Sequence, residues 1–247
     1  MGEVRGDGVT RGVLTHIRPV TPWLIGTLAL VGIMGAVILT IHFTTHVDVT
    51  LIISDPADKG HLPGYSGLYT FASAFALLAG GAICVFAAQL LRNRPAAFPS
   101  ALFLLTFGAL IGWLGIDDLF MFHEWAGLAI AELLGRGDEP GARSRFEAIV
   151  FAAYAVAWIV WLGRFWRTVR QTAFVLLALV LVFFGLSVAI DVGLFLFPGV
   201  LPDTAWMPTT VEVAEEMLKL TGTFFAFAYA WQTGIGAVRR EMSCPAD

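Results

Sequence analysis

Charged residues are scarce in this sequence. Asp, Glu, Lys and Arg make up 14% of the 247 residues, whereas soluble domains carry about 25%. Apolar residues make up 57%, and the mean hydropathy is +0.78. This composition excludes a soluble globular domain, because too few polar side chains remain to cover a water-facing surface. The net charge of −4 also lacks the basic excess of nucleic-acid-binding proteins, so no nucleic-acid partner is predicted.

Cysteine and diagnostic metal-binding motifs are scarce as well. The two cysteines are Cys84, in an apolar segment, and Cys244, in the polar C-terminal tail. These positions do not suit a disulfide or a shared thiolate metal site, so neither is predicted. The sequence also contains no HExxH motif, no paired ExxH motif and no histidine-box set. The signatures of zinc proteases, di-iron bundles and membrane desaturases are therefore unmatched.

Long apolar runs, in contrast, recur along the whole chain. Several approach or exceed the roughly 18–20 residues needed to cross a bilayer as a helix. We predict transmembrane helices at residues 22–45, 67–91, 101–123, 146–166, 172–197 and 210–233. The predicted fold is an all-α integral membrane protein with a six-helix domain at 22–235, between a polar segment at 1–21 and a tail at 236–247. Segment 124–134 is mildly apolar and either extends the third helix or lies in the membrane interface.

The basic residues between the apolar runs indicate an orientation. Ten arginines fall in segments on the same side as the N-terminus, and four basic residues fall on the opposite side. Cytoplasmic loops retain Lys and Arg more than translocated loops do. Both termini are therefore predicted to be cytoplasmic, with the protein in the cell (inner) membrane.

Ionisable residues inside the predicted spans are the main functional signal, since a charge at the membrane centre costs about 2.5–3.5 kcal/mol on insertion scales. These residues are predicted to lie at similar depth in the outer halves of several helices. The candidates are His42, His46, Asp117, Asp118, His123, Glu124, Asp191, Glu215, Glu216 and Lys219. Asp117 and Glu124 are seven residues apart, which places them on one face of a continuous helix. Glu147 and Glu212 lie near predicted helix starts, where a carboxylate stabilises the helix dipole.

One lysine cannot neutralise so many carboxylates, so the excess charge requires protonation, solvation or a bound cation. We predict a divalent metal, either zinc, iron or manganese, because mixed carboxylate and imidazole ligands suit these ions. The predicted ligands are His42, His46, Asp117, Asp118, His123, Glu124 and Asp191. Glu215 or Glu216 is predicted to act as a general base, and Lys219 to tune a neighbouring pKa.

Three functions fit this pattern. The first is a metal-binding membrane enzyme that takes a lipid-soluble or small-molecule substrate from the outer leaflet. The second is a cation- or proton-coupled carrier that uses the same carboxylates, with Lys219 as an internal counter-charge. The third is a structural subunit of a membrane complex, in which the charges form an ion-pair network. The inner halves of the predicted helices contain few polar residues, which favours a one-sided site over a transport path.

Overall fold

The computed structural model describes residues 20–45, 52–53, 67–139, 142–196 and 207–243. No strand occurs among these residues. The principal helices are α1 (Thr21–Thr44), α2 (Leu68–Leu91), α3 (Phe98–Phe120), α4 (Phe122–Leu133), α5 (Ala142–Val169), α6 (Phe174–Leu196) and α7 (Met207–Ser243). The predicted N-terminal segment, apart from its last two residues, lies outside the described residues, as does His46. The side chain of His42 is also outside the description.

Membrane-helix character is confirmed for most of the predicted spans. Within the described ranges, five helical stretches are long and apolar enough to cross a membrane: Thr21–Ile41, Leu68–Leu91, Pro95–Phe120, Arg145–Val169 and Phe174–Gly193. The sixth predicted span, 210–233, lies inside α7, which is 37 residues long but is not among these five. The reason is its content of polar residues, which include Glu215, Glu216 and Lys219 in its first third. The described part of the chain is thus all-helical, with five membrane-type helices.

The core forms where α2 packs against both α3 and α7. Phe107 of α3 is completely buried. Its ring centroid lies 5.0 Å from that of Tyr229 on α7 and 5.4 Å from that of Trp161 on α5. Aromatic pairs at such separations stabilise a core beyond the area they bury. These contacts attach α5 to the bundle near its C-terminal half, while α4 packs against α5 at the other end.

The α2–α3 contact depends on two glycines that bring the helix backbones close together. A Cβ atom on Gly108 would lie 2.8 Å from the carbonyl oxygen of Gly81 and 3.0 Å from Cβ of Cys84. Backbone atoms cannot move away without separating the helices, and small residues at such crossings permit this close approach. The α2–α3 interface therefore excludes even a methyl group at Gly108.

Gly108→Ala is expected to lower the free energy of unfolding by about 1–3 kcal/mol, the usual cost of overpacking a well-packed interior. Gly112→Ala, one turn later on the same helix, is the matched control, because a Cβ there has no atom within 4 Å. Denaturation of the purified protein in mild detergent measures both variants. Equal stability of the two variants would contradict the close helix contact.

The end of α3 differs from its prediction. The helix stops at Phe120, and Met121 adopts a left-handed conformation with φ 54°. Segment 124–134 therefore does not extend the third span but falls almost entirely in a separate helix, α4. Because Met121 interrupts the helix, the seven-residue spacing of Asp117 and Glu124 no longer places them on one continuous helix face. The break reverses the chain locally and brings the start of α4 back toward the last turn of α3.

Candidate functional site

The ionisable residues converge at one end of the bundle, which we call the acidic end. It contains the C-terminal turns of α3 and α6 and the N-terminal turns of α4, α5 and α7. A cavity of about 770 Å³ opens there, and we call it the acidic cavity. The Asp, Glu, His and Lys side chains that line it are Asp117, Asp118, His123, Glu124, Glu147, Asp191, Glu212, Glu215, Glu216 and Lys219. Five helices thus contribute ionisable side chains to one chemical environment.

His123 lies between two buried carboxylates. Asp117 accepts a hydrogen bond from the backbone N–H of His123 through Oδ1 at 2.8 Å, and its Oδ2 lies 2.9 Å from Nδ1 of the ring. On the opposite edge of the ring, Nε2 lies 3.2 Å from Oε1 of Glu147. Asp117 and Glu147 are 4% and 8% exposed. The ring also packs against Phe151, with centroids 5.2 Å apart, so its orientation is fixed on both edges and one face.

The left-handed turn at Met121 produces this arrangement. The backbone N–H of Met121 bonds to the carbonyl oxygen of Asp117 at 2.7 Å and closes α3. The next residues then turn back, so that the carboxylate of Asp117 contacts both the backbone N–H and the ring Nδ1 of His123. A continuous helix would have carried His123 away from Asp117, since residues six apart lie on different faces.

His123, Glu124 and Glu147 form a group that can hold a metal ion. One ligand atom from each of the three residues lies within 4.8 Å of the others. Two ligand atoms at about 2.1 Å from one ion are at most about 4.2 Å apart, so a small contraction would bring the group to coordination distance. A histidine that ligates a metal through one nitrogen usually donates its other N–H to a carboxylate. Asp117 occupies that supporting position on Nδ1, which leaves Nε2 facing Glu147.

The same carboxylates alter the protonation of His123, which lies beyond the end of the apolar stretch of α3. Burial lowers the pKa of His123, but the hydrogen bond that the ring donates to Asp117 and the negative charges of Asp117 and Glu147 outweigh it, so the pKa is raised above the ordinary value of 6.5. Lys219 opposes this shift. A metal at Nε2 therefore competes with a proton for that nitrogen.

Lys219 forms a second charged group in the same cavity. Its Nζ lies 2.7 Å from Oε1 of Glu216 on the preceding turn of α7 and 3.2 Å from Oδ1 of Asp118 on α3. The lysine side chain is 18% exposed. One ammonium group therefore compensates two largely buried carboxylates and ties α7 to α3 at the acidic end.

The cavity assembles most of the predicted site residues. The lining includes five of the predicted metal ligands, which are Asp117, Asp118, His123, Glu124 and Asp191. It also includes the three predicted catalytic residues, Glu215, Glu216 and Lys219. Neighbouring residues of this group have different partners. Asp117 contacts Nδ1 of His123, whereas Asp118 contacts Lys219.

The contact of Glu147 with His123 was not predicted from the sequence. The prediction assigned it to the start of a helix, but α5 begins at Ala142 and has no acidic residue in its first turn. Glu147 lies in the second turn, where interaction with the helix dipole is weaker, and contacts Nε2 of His123 instead. Its predicted depth near the outer edge of the membrane, which is similar to that of His123, is the signal that could have identified this contact.

Comparison with known proteins identifies a family for this chain but no activity. No curated protein and no solved structure matches the chain. A family model described as Domain of unknown function (DUF8692) matches residues 24–233. This range includes every ionisable side chain that lines the acidic cavity. The chain therefore belongs to the family described as Domain of unknown function (DUF8692).

Proposed function

We propose that this protein is a membrane-embedded metalloenzyme that binds a divalent ion through His123, Glu124 and Glu147. The observation that supports the proposal is the arrangement of Asp117, His123 and Glu147, in which one carboxylate orients the imidazole and the other faces its free nitrogen. Imidazole and carboxylate ligands suit zinc, iron or manganese. A divalent ion in such a site lowers the pKa of bound water and polarises a substrate oxygen.

The remaining residues of the acidic cavity have separate roles in this proposal. Asp117 positions His123 and holds its ring in one tautomer. Glu215 lines the cavity and is half-buried, which suits it to accept a proton from water or substrate. Glu216 is less suited as the base, because its carboxylate is already paired with Nζ of Lys219 at 2.7 Å.

We also propose that α7 crosses the membrane as a sixth span and that the acidic end faces the outer side. The bias of arginine toward the N-terminal side supports this orientation, with both termini in the cytoplasm. A reporter fused after Asp247 is expected to read cytoplasmic, and a periplasmic reading would contradict the orientation.

The shape of the cavity favours an enzyme over a carrier. Its far end, away from the carboxylates, is lined by apolar side chains that include Trp158, Leu162 and Val180. A carrier needs polar groups along a path to the other side of the membrane, and the described lining at the far end of this cavity is mainly apolar. The cavity therefore suits a one-sided site to which a substrate comes and from which a product leaves.

Elemental analysis of purified protein is the direct test. Wild-type protein is expected to carry about one divalent ion per chain, and added metal at 100 times Kd should stabilise metal-depleted protein by about 2.7 kcal/mol. Glu147→Gln should lose both effects. Glu132→Gln is the matched control, because Glu132 is exposed on α4 and does not line the cavity. Wild-type protein of normal stability that neither contains metal nor gains stability from it would overturn the proposal and leave His123 with a structural role between Asp117 and Glu147.

A further inference from the structure

The acidic cavity is elongated along α5. Along α5 its lining extends from Glu147 to Leu162, a separation of about 22 Å at roughly 1.5 Å per residue. One leaflet of a bilayer has a hydrocarbon thickness of about 15 Å, half of the roughly 30 Å core. The facing wall is formed by α6, from Val180 to Val188. This length accommodates an extended lipid chain and is far greater than a small polar substrate needs.

The cavity opens sideways between α5 and α6. Ile159 of α5 and Leu181 of α6 both line it, yet they are 67% and 37% exposed. Gly185, which also lines it, is exposed, and a Cβ built there has no atom within 4 Å. In a membrane, these exposed apolar residues face lipid chains. The gap therefore connects the cavity with the bilayer interior.

The charge of the acidic end selects the head group. Among the described lining residues, eight carboxylates face one lysine and one histidine. A divalent ion together with Lys219 formally offsets three of the eight negative charges. A cleft with an excess of one sign and low-dielectric walls attracts ligands of opposite charge and repels those of the same charge. A cationic amine suits this end, whereas a fatty acid or a phosphate does not.

We propose that the acidic cavity binds a long-chain membrane amine, with its hydrocarbon chain between α5 and α6 and its ammonium group among the carboxylates of the acidic end. This inference names the substrate class of the proposed enzyme and rests on that function only for the fate of the head group. The chain enters laterally at Gly185, and its ammonium group lies near Asp191 and Glu215, which approach the cavity from α6 and α7.

Photolabelling tests the proposal in the purified full-length protein. A long-chain alkylamine with a diazirine on its chain is expected to label peptides of α5 and α6. Unlabelled alkylamine should compete, whereas a fatty acid of equal length should compete at least about tenfold more weakly, since the head group carries the opposite charge. Equal competition by the fatty acid would overturn the assignment of an amine.

Two glycine variants provide a matched pair for the opening. Gly185→Leu places a side chain in the gap and is expected to reduce labelling about tenfold, because the probe chain loses apolar burial. Gly163→Leu adds the same side chain to an exposed site on α5 that also has no atom within 4 Å and does not line the cavity. It should label as wild type does. Equal labelling of the two variants would overturn the lateral opening.

Labelling in the presence of a chelator separates the two proposals. Selective labelling of wild-type protein that proves metal-free would support the amine site and contradict the metalloenzyme. Stoichiometric metal in protein that labels without selectivity would contradict the amine site and support the metal centre. Selective labelling that persists after the metal is removed from metal-loaded protein would support both.

Discussion

His123→Ala is expected to abolish metal binding, with a loss of affinity of more than about 100-fold, because the substitution removes the only imidazole among the described residues that line the acidic cavity. Asp117→Asn should have a smaller effect, about 10–100-fold, which is typical when a partner of a ligating histidine is changed. Competition with a metallochromic chelator measures both affinities.

The order of these effects distinguishes a metal centre from a salt-bridge network. Asp117 touches His123 on Nδ1, so Asp117→Asn leaves all three proposed ligand groups in place. It should therefore weaken binding and still bind one ion per chain at saturation. If His123→Ala, Asp117→Asn and the Glu132→Gln control bind metal with equal affinity, the ion lies elsewhere and the proposed centre is wrong.

Lys219→Met is expected to cause the largest loss of stability, about 3–5 kcal/mol, because it leaves Asp118 and Glu216 buried without their ammonium partner. Methionine retains most of the length of the side chain, so the change isolates the charge. Unfolding in detergent, followed by the loss of helical signal, measures the free-energy difference.

A surface ion pair on the same chain provides the control. Arg136 and Glu139 lie 3.6 Å apart and are 59% and 45% exposed, so Arg136→Gln should change stability by less than about 1 kcal/mol. The double variant Lys219→Met with Glu216→Gln should recover part of the loss, because one of the two uncompensated carboxylates is then neutral. A Lys219→Met protein as stable as Arg136→Gln would show that solvent compensates these charges.

The long apolar runs made the helices predictable, because only a helix satisfies its own backbone in lipid. The lower hydropathy of α7 was itself informative. The polar residues that distinguish α7 from the five apolar stretches include residues that line the acidic cavity. Periodicity failed at one place. The spacing of Asp117 and Glu124 predicts a shared face only if the helix continues, and nothing in the local sequence marks Met121 as left-handed, a conformation that glycine or asparagine adopts more readily.

Which side chains contact one another was harder to predict than which residues line the acidic cavity. Depth along each helix follows from counting residues at about 1.5 Å each, so the sequence could place Asp117, Asp191 and Lys219 at similar depth, with His123 nearer the outer edge. Which helices are neighbours depends on tertiary packing. The packing of α4 against α5 brings Glu147 to His123, and that of α3 near α7 brings Asp118 to Lys219.

The left-handed methionine at the α3–α4 corner has a consequence for how this site is assembled. A non-glycine residue in this region of the backbone costs about 1–3 kcal/mol unless its surroundings enforce it. At Met121, which is 4% exposed, that enforcement comes from its own packing and from the bonds that Asp117 makes to the following residues. The corner and the imidazole site therefore order together as one cooperative unit. In a chain whose helices are formed but whose corner is still open, Asp117 and Glu147 would not yet flank His123, so we expect the proposed centre to form only when this corner closes.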